Sequence, residues 1–319
     1  MSINIKFPKI YWSVSAGLIL SGIICMTAGG VRAESDRKKN LTRQEEVFED
    51  ISKFDISLAE GTISLEKDPE IKECKVEITS ISDTVQLQSQ DGILQIRDKR
   101  KQVVQFMYFG FLHPVSTEIK ITVPEQEYQQ ATIKINTGDC SVSGLEIEEL
   151  WMDSDIGNCT VTDCEIQKFN LETSTGDIEL KRCEIQSHFT LDSDVGKVRA
   201  EDLSCAGETA IKLGTGDCQI ENTTFSGAVQ AENDVGSVNL RNITLDGSLQ
   251  LDTGTGDVSV SVNGREEDFA LNCSSDIGSV TVNQQKTGNI RNSISSTDQK
   301  KKLSITTDVG DIDLYFLGN

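Results

Sequence analysis

Thr137-Gly138-Asp139, Asp155-Ile156-Gly157, Thr175-Gly176-Asp177, Asp194-Val195-Gly196, Thr215-Gly216-Asp217, Asp234-Val235-Gly236 and Thr255-Gly256-Asp257 are one motif in two alternating forms. Asp276-Ile277-Gly278 and Asp308-Val309-Gly310 continue the second form. The glycines are separated by 19, 19, 20, 20, 20, 20, 22 and 32 residues. A period near 20 marks a stacked array in which each unit meets only its neighbours. Aligning the nine units on their glycines tests this, because stacked units must carry like residues at like positions. Two and four residues after glycine, and five and seven before it, 35 of 36 residues are apolar, Thr209 being the exception. Three after and four before, none of eighteen is apolar. Strict alternation on both sides of a glycine is the pattern of strands with one buried face.

No 3.6-residue period appears in any unit, which excludes helical and leucine-rich repeats, and a four-stranded propeller blade needs about twice this length. The expected fold is therefore all-β: a single-stranded parallel β-helix or β-solenoid with coils of about 20 residues, stacked at about 4.8 Å, with aliphatic ladders filling the bore. Gly138, Gly157, Gly176, Gly196, Gly216, Gly236, Gly256, Gly278 and Gly310 would turn the corner between two strands. The alternation of the motif has an electrostatic rationale. If every coil read Thr-Gly-Asp, carboxylates would stack in register at about 4.8 Å, and moving the acid to the other side of glycine in alternate coils doubles that spacing.

The chain has 319 residues and carries 30 Lys plus Arg against 51 Asp plus Glu, a formal net charge of −21. Such a surface repels phosphate, so nucleic acid is not an expected partner. Residues 10–31 contain no charged residue, which at about 1.5 Å per residue is enough helix to cross a bilayer core. Residues 1–9 are a basic leader with Lys6 and Lys9. The same segment also reads as a signal peptide cleaved near Ala33. Arg32, Arg37, Lys38, Lys39 and Arg43 follow it and taken alone favour a cytoplasmic domain. Long domains behind an N-terminal signal translocate despite such charge, so export is the expectation. The segment then leaves either a single-pass cell-membrane protein with an extracytoplasmic C-terminal domain or a secreted one.

With the repeat in view, the chain resembles the bacterial putative-adhesin β-strand-repeat family, a domain of unknown function in envelope proteins. The resemblance rests on the two coil forms, Phe54-Asp55-Ile56-Ser57-Leu58, Gly92-Ile93-Leu94-Gln95-Ile96, Ile119-Lys120-Ile121-Thr122-Val123-Pro124 and Asp311-Ile312-Asp313-Leu314-Tyr315-Phe316, and covers about residues 47–319. It implies a right-handed solenoid behind an N-terminal membrane anchor. It brings no catalytic residue and no cofactor.

The expected organisation is a juxtamembrane linker over 32–46, an N-terminal cap with the first strands over 47–130, out of phase with the repeat, and repeats over 131–319. In the cap, Phe106, Tyr108, Phe109 and Phe111 crowd together, as a plug for the bore or as an exposed partner patch. Gln284 to Lys302 reads as a mobile loop, with a cationic spot at Lys300-Lys301-Lys302. The cysteines fall in aliphatic columns, with Cys140, Cys159 and Cys218 two after glycine and Cys164 and Cys183 seven after it, so free buried thiols are expected. Asp153, Asp155, Glu172, Asp192 and Asp194 should share one outward face, a ladder that could hold Ca²⁺ or remain a solvated acidic surface. Near-constant coil length leaves no long loops to wall a cleft, and two His offer little base chemistry. The expected role is a non-catalytic, adhesin-like or scaffold surface at the cell envelope, binding an envelope or host polymer. A signalling accessory for a neighbouring membrane protein is the alternative, and a carbohydrate-active β-helix enzyme is a weaker one.

Overall fold

The computed structural model describes residues 42–80, 84–98, 117–292 and 301–318. The anchor segment 10–31 and the aromatic cluster Phe106, Tyr108, Phe109 and Phe111 lie outside them. Apart from one short 3₁₀ turn at Glu266–Asp268, every described element is a strand. Among the described residues no helix is long and apolar enough to cross a membrane.

Each repeat is one coil with a short strand after the glycine and a long strand leading to the next glycine. Cys140–Ser143 and Glu146–Ile156 are the first such pair. The short strands stack in parallel register, Cys140 on Cys159 and Val142 on Val161, and the long strands do the same, Leu150 on Phe169 and Met152 on Leu171. In-register stacking turns each apolar position into a buried column. Phe169 and Phe189 lie face to face in one of these, with ring centroids 5.3 Å apart.

The chain turns between the strands through two conformations. At the first corner the repeat glycines take φ between 127° and 159°. A methyl group on Gly216 would lie 1.8 Å from the carbonyl oxygen of Gly196, so neither the backbone angle nor the space admits a side chain. At the second corner, six residues after glycine, Gly144, Asp163, Arg182, Asp202, Asn222 and Asn242 are left-handed, with φ between 48° and 74°. Asn and Asp tolerate this region, and Asn242 donates to Asn222 at 2.8 Å and Asn222 to Asp202 at 3.2 Å along the stack. The step from 19 to 20 residues also has a local cause. Ile166 faces Ile185 but Lys168 faces His188, so Ser187 is an extra residue, and in the next coils its place at a third corner is taken by Gly207, Gly227 and Gly247.

The bore is not uniformly apolar. Three residues before glycine the pleat points inward, yet Ser154, Thr173, Ser193, Asn233, Thr253, Ser275 and Thr307 stand there, all buried. Where bonded, they serve the corner: Ser275 donates to the Gly310 carbonyl at 2.7 Å and Asn233 to that of Gly236 at 2.8 Å. Asn233, Ser275 and Thr307 thus satisfy carbonyls that the tight turn leaves facing inward, while the hydroxyls of Ser154, Thr173, Ser193 and Thr253 are buried without such a bond among the described residues.

Three expectations are corrected. Residues 47–130 are not out of phase throughout: Lys53–Leu58 and Gly61–Lys67 form a regular coil, with Phe54 and Ile56 before Gly61 and Ile63 and Leu65 after it, stacked directly against the Gly138 coil. Coils also do not stack in chain order at either end. Ile93–Asp98 and Thr117–Val123 lie beneath the Gly61 coil, and Lys301–Val309 with Ile312–Phe316, the last coil in sequence, sits between the Gly256 and Gly278 coils. The coils nearest the two chain ends are thereby enclosed by others. Finally, the segment expected as a mobile loop after Gln284 begins as two strands. Gln285–Gly288 pairs antiparallel with Val280–Val282, and Ile290–Asn292 pairs antiparallel with the preceding long strand. These strands cover the open edges of the outermost coil, as Cys74–Ser80, Thr42–Phe48 and Val85–Gln90 do at the other end.

The close glycine contact predicts a sharp contrast between two substitutions. Gly216→Ala should lower stability by roughly 3 kcal/mol or more. Gly288→Ala, at φ 98° with nothing within 4 Å of the added methyl, should cost only about 1 kcal/mol. Denaturant midpoints of the two variants that moved equally would show that backbone angle alone, and not stacking, fixes the glycines.

Candidate functional site

Two surfaces carry the acidic residues singled out from the sequence. On the outer face of the long-strand sheet, Asp153, Glu172 and Asp192 are in direct register on successive strands. Lysines close this run at both ends, Lys134 opposite Asp153 and Lys212 opposite Asp192. Lys134 Nζ pairs with Asp153 at 3.4 Å and sits 4.4 Å from the centre of the Trp151 ring. Asp155 and Asp194 stand two residues further along their strands, at the glycine corner, two coils apart with Ser174 between them. Among the described residues no three His, Cys, Asp or Glu side chains converge as a metal ligand set, so these five acids form ladders and not a cluster.

The second acidic surface is the column just after glycine, and its carboxylates have a structural task. Asp139 accepts the backbone N–H of Asn158 at 2.8 Å, Asp177 that of Lys197 at 2.9 Å, Asp217 that of Ser237 at 3.2 Å and Asp257 that of Asp311 at 2.9 Å. Each Thr-Gly-Asp coil therefore clips the corner of the coil above it. The intervening coils carry Asn158, Lys197 and Ser237 at this position, so acids stand there in every second coil up to Asp257; Asn158 is both clipped and clipping, since its side-chain oxygen accepts the N–H of Asp177 at 3.0 Å. Asp311 accepts both the amide and the hydroxyl of Ser279, at 2.8 and 2.9 Å. These bonds, the hydroxyl first, hold its carboxyl below the ordinary carboxylate value. Arg182 grips Asp163 at 2.6 and 2.8 Å and lowers that carboxyl likewise.

The outer face of the short-strand sheet has mixed charge. A shallow groove there is lined by Asn158, Thr160, Asp177, Glu179, Lys197 and Arg199. The expected cationic spot near Lys300 is partly engaged: Lys301 donates to the Leu245 carbonyl and pairs with Asp246 at 3.2 Å. All eight described cysteines are buried and none forms a disulfide with another described residue. Burial pushes the thiols of Cys74, Cys205 and Cys218 up to about 12, and the sulfurs of Cys140 and Cys159 lie 3.3 Å apart.

The sequence reading overlooked the roles of two positions. The hydrogen bonds of the acids after glycine needed the stacking register, although the Thr-Gly-Asp spacing named the residues. The contrast between those acids and the ones before glycine could not be seen without it.

The clips generate two tests. Asn158→Asp with Lys197→Asp keeps an acceptor at each corner but places five carboxylates in successive coils. The melting temperature should fall more at about 10 mM than at about 500 mM NaCl, and an equal fall would remove the electrostatic reading of the alternation. The lowered carboxyls of Asp311 and Asp163 stabilise the fold above the unfolded value near 3.9, and that contribution is lost as pH falls through their folded values. Melting temperature should be level from about pH 7 to 5 and fall below about pH 4, less steeply in Asp311→Asn with Asp163→Asn.

The structure of a putative adhesin from Bacteroides fragilis is similar over 86% of this chain and 97% of its own, with 14% identity and a TM-score of 0.44. A putative cell adhesion protein from Clostridium sporogenes is similar over 86% and 99%, with 13% identity and a TM-score of 0.25. A putative adhesin from Parabacteroides merdae is similar over 87% and 96%, with 12% identity and a TM-score of 0.31. No curated protein matches the chain. The family model for Toastrack DUF4097 matches residues 51–315, from the start of the Gly61 coil into the strand Ile312–Phe316, and the chain belongs to that family.

Proposed function

We propose that this protein is a non-catalytic binding surface displayed at the bacterial cell envelope, engaging a polymer through several coils at once. The observation that carries the reading is the register that the strands leading to each glycine keep from coil to coil. From the Gly61 coil to the Gly278 coil the outward residues repeat along straight columns, and the carboxylates run along these columns without converging. A regular surface of this kind offers one contact many times over, which suits a repetitive ligand bound weakly at each point. Display by residues 10–31 is part of the proposal. The first described strand after them, Thr42–Phe48, is the outermost strand at its end of the short-strand sheet, so the chain enters at the base of the stack.

Co-sedimentation of the purified chain with isolated cell walls and with mucin, with and without Ca²⁺, tests this while the supernatant is assayed for released sugar. Saturable binding without release is expected. Released reducing or unsaturated ends would instead establish a carbohydrate-active enzyme. Absence of both would transfer the role to a membrane-protein partner, to be sought by crosslinking in the native membrane.

A further inference from the structure

We propose that the glycine edge of the solenoid is a docking ridge for an extended polypeptide segment that carries lysine at every third residue. The inference rests on the binding-surface reading and names its site and ligand chemistry. Five of the eight large apolar side chains exposed among the described residues stand in one column, just before the repeat glycines: Ile156, Val195, Val235, Val309 and Ile277, from 41% to 69% exposed. The column is continuous, since Ile156 faces Thr175, Thr175 faces Val195, and the register runs on through Val235 and Thr255 to Val309 and Ile277. The fold does not require the apolar residues there. Threonine occupies the same position in every Thr-Gly-Asp coil, with the same corner geometry.

Beside each of the five stands an aspartate, Asp155, Asp194, Asp234, Asp308 and Asp276, all exposed and none with an ion pair or hydrogen bond to the described residues. The acids after glycine are spent on clipping the next coil, and those before it are free. The ridge thus repeats one unit, a half-exposed branched aliphatic group next to an unpaired carboxylate. A lysine side chain complements both parts: its butyl stem lies on Ile or Val and its ammonium reaches the Asp. From Ile156 to Val235 the units recur every second coil, about 9.6 Å. A polyproline II segment rises about 3.1 Å per residue with three residues per turn, so lysines at every third residue share one face about 9.3 Å apart. An extended β-strand would put them on opposite faces.

The test is fluorescence anisotropy with the full chain in neutral detergent and a labelled peptide of five Lys-Pro-Pro repeats. Its control is a peptide with five lysines at every fourth position, a spacing out of step with the ridge. Ile156→Thr with Val195→Thr and Val235→Thr leaves net charge unchanged and should weaken binding about tenfold. Asp155→Asn with Asp194→Asn and Asp234→Asn should do likewise. Asp153→Asn with Glu172→Gln and Asp192→Asn removes equal charge from the sheet face and should change binding less than about twofold. Melting curves should remain close to the parent's, because Thr137 and Asn136 already occupy these positions in the repeat.

Equal losses in the two charge-changing triples, or no loss in the threonine triple, would overturn the ridge as the site. Equal binding of the two peptides would overturn the register. An amino-sugar oligomer that bound the ridge where the peptide did not would overturn the polypeptide. Ridge variants that still co-sediment with walls while the parent fails to bind peptide would sink this inference and leave the general reading standing. Peptide binding by a parent that ignores walls would do the reverse.

Discussion

Successive glycine corners bring their backbones into close approach, and the rest of the structure is arranged around that contact. Each corner rests on the carbonyl of the corner beneath, so close that a methyl group on Gly157 would lie 2.0 Å from the Gly138 oxygen. That contact fixes the stacking register of every coil at one point, and the pleat carries this register along the strand until an inserted residue such as Ser187 shifts it. The apolar columns, the amide-to-carboxylate clips and the Asn ladder at the opposite corner all follow, because each requires like positions to lie above one another. The buried hydroxyl column belongs to the same arrangement, placing donors such as Ser275 against the carbonyls that the corner turns inward.

A stacked array needs ends, and here the chain resolves this by leaving sequence order. Enclosing the last coil between the Gly256 and Gly278 coils means that Phe316, near the C-terminus, stacks on Val262 and meets Phe269, with ring centroids 5.4 Å apart, where a terminal coil would expose one side to water. The coil left outermost is then covered by antiparallel strands. The opposite end repeats the device, with the Gly61 coil enclosed and Cys74–Ser80 and Thr42–Phe48 layered beyond it. Both ends combine a coil held on two faces with short or charged edge strands, a combination that discourages end-to-end growth.

The regular part of this fold was legible in the chain because one-dimensional stacking converts sequence period directly into spatial register. Leu150, Phe169 and Phe189 could be assigned to one column by counting alone. Counting fails where the chain departs from sequential order. The step of 32 residues before Gly310 announces an insertion, yet nothing in Lys302 or Leu303 says that their coil lies under Phe269 and not over it. The Gly61 coil was hidden for a related reason: it carries Ile63 and Leu65 at the proper offsets but lacks both corner motifs, reading Glu60-Gly61-Thr62. Of the candidate acids, sequence expects Asp153 and Asp155 on one outward face, without separating the sheet face from the glycine corner where Asp155 stands. It could not distinguish a carboxylate that holds a neighbouring coil from one that faces solvent with no partner, because that difference depends on which amide the stack brings within reach.

That difference accounts for the alternation more fully than repulsion alone. A carboxylate after glycine can accept the amide of the coil above, whose residue at that position need only supply its backbone N–H. The clip therefore does not need an acid in every coil, and leaving it out of alternate coils avoids a line of like charges. In the coils of the second form an acid stands on the other side of glycine, where it makes no internal bond, and is joined there by Ile or Val in place of Thr; the Gly310 coil carries this pair and keeps a clip, Asp311, as well. Stability can explain the first set of acids and their two-coil spacing. It does not explain why the second set should be charged, exposed and paired with apolar side chains, and it is on this residue of pattern, unaccounted for by the fold, that the proposed docking role of the glycine edge rests.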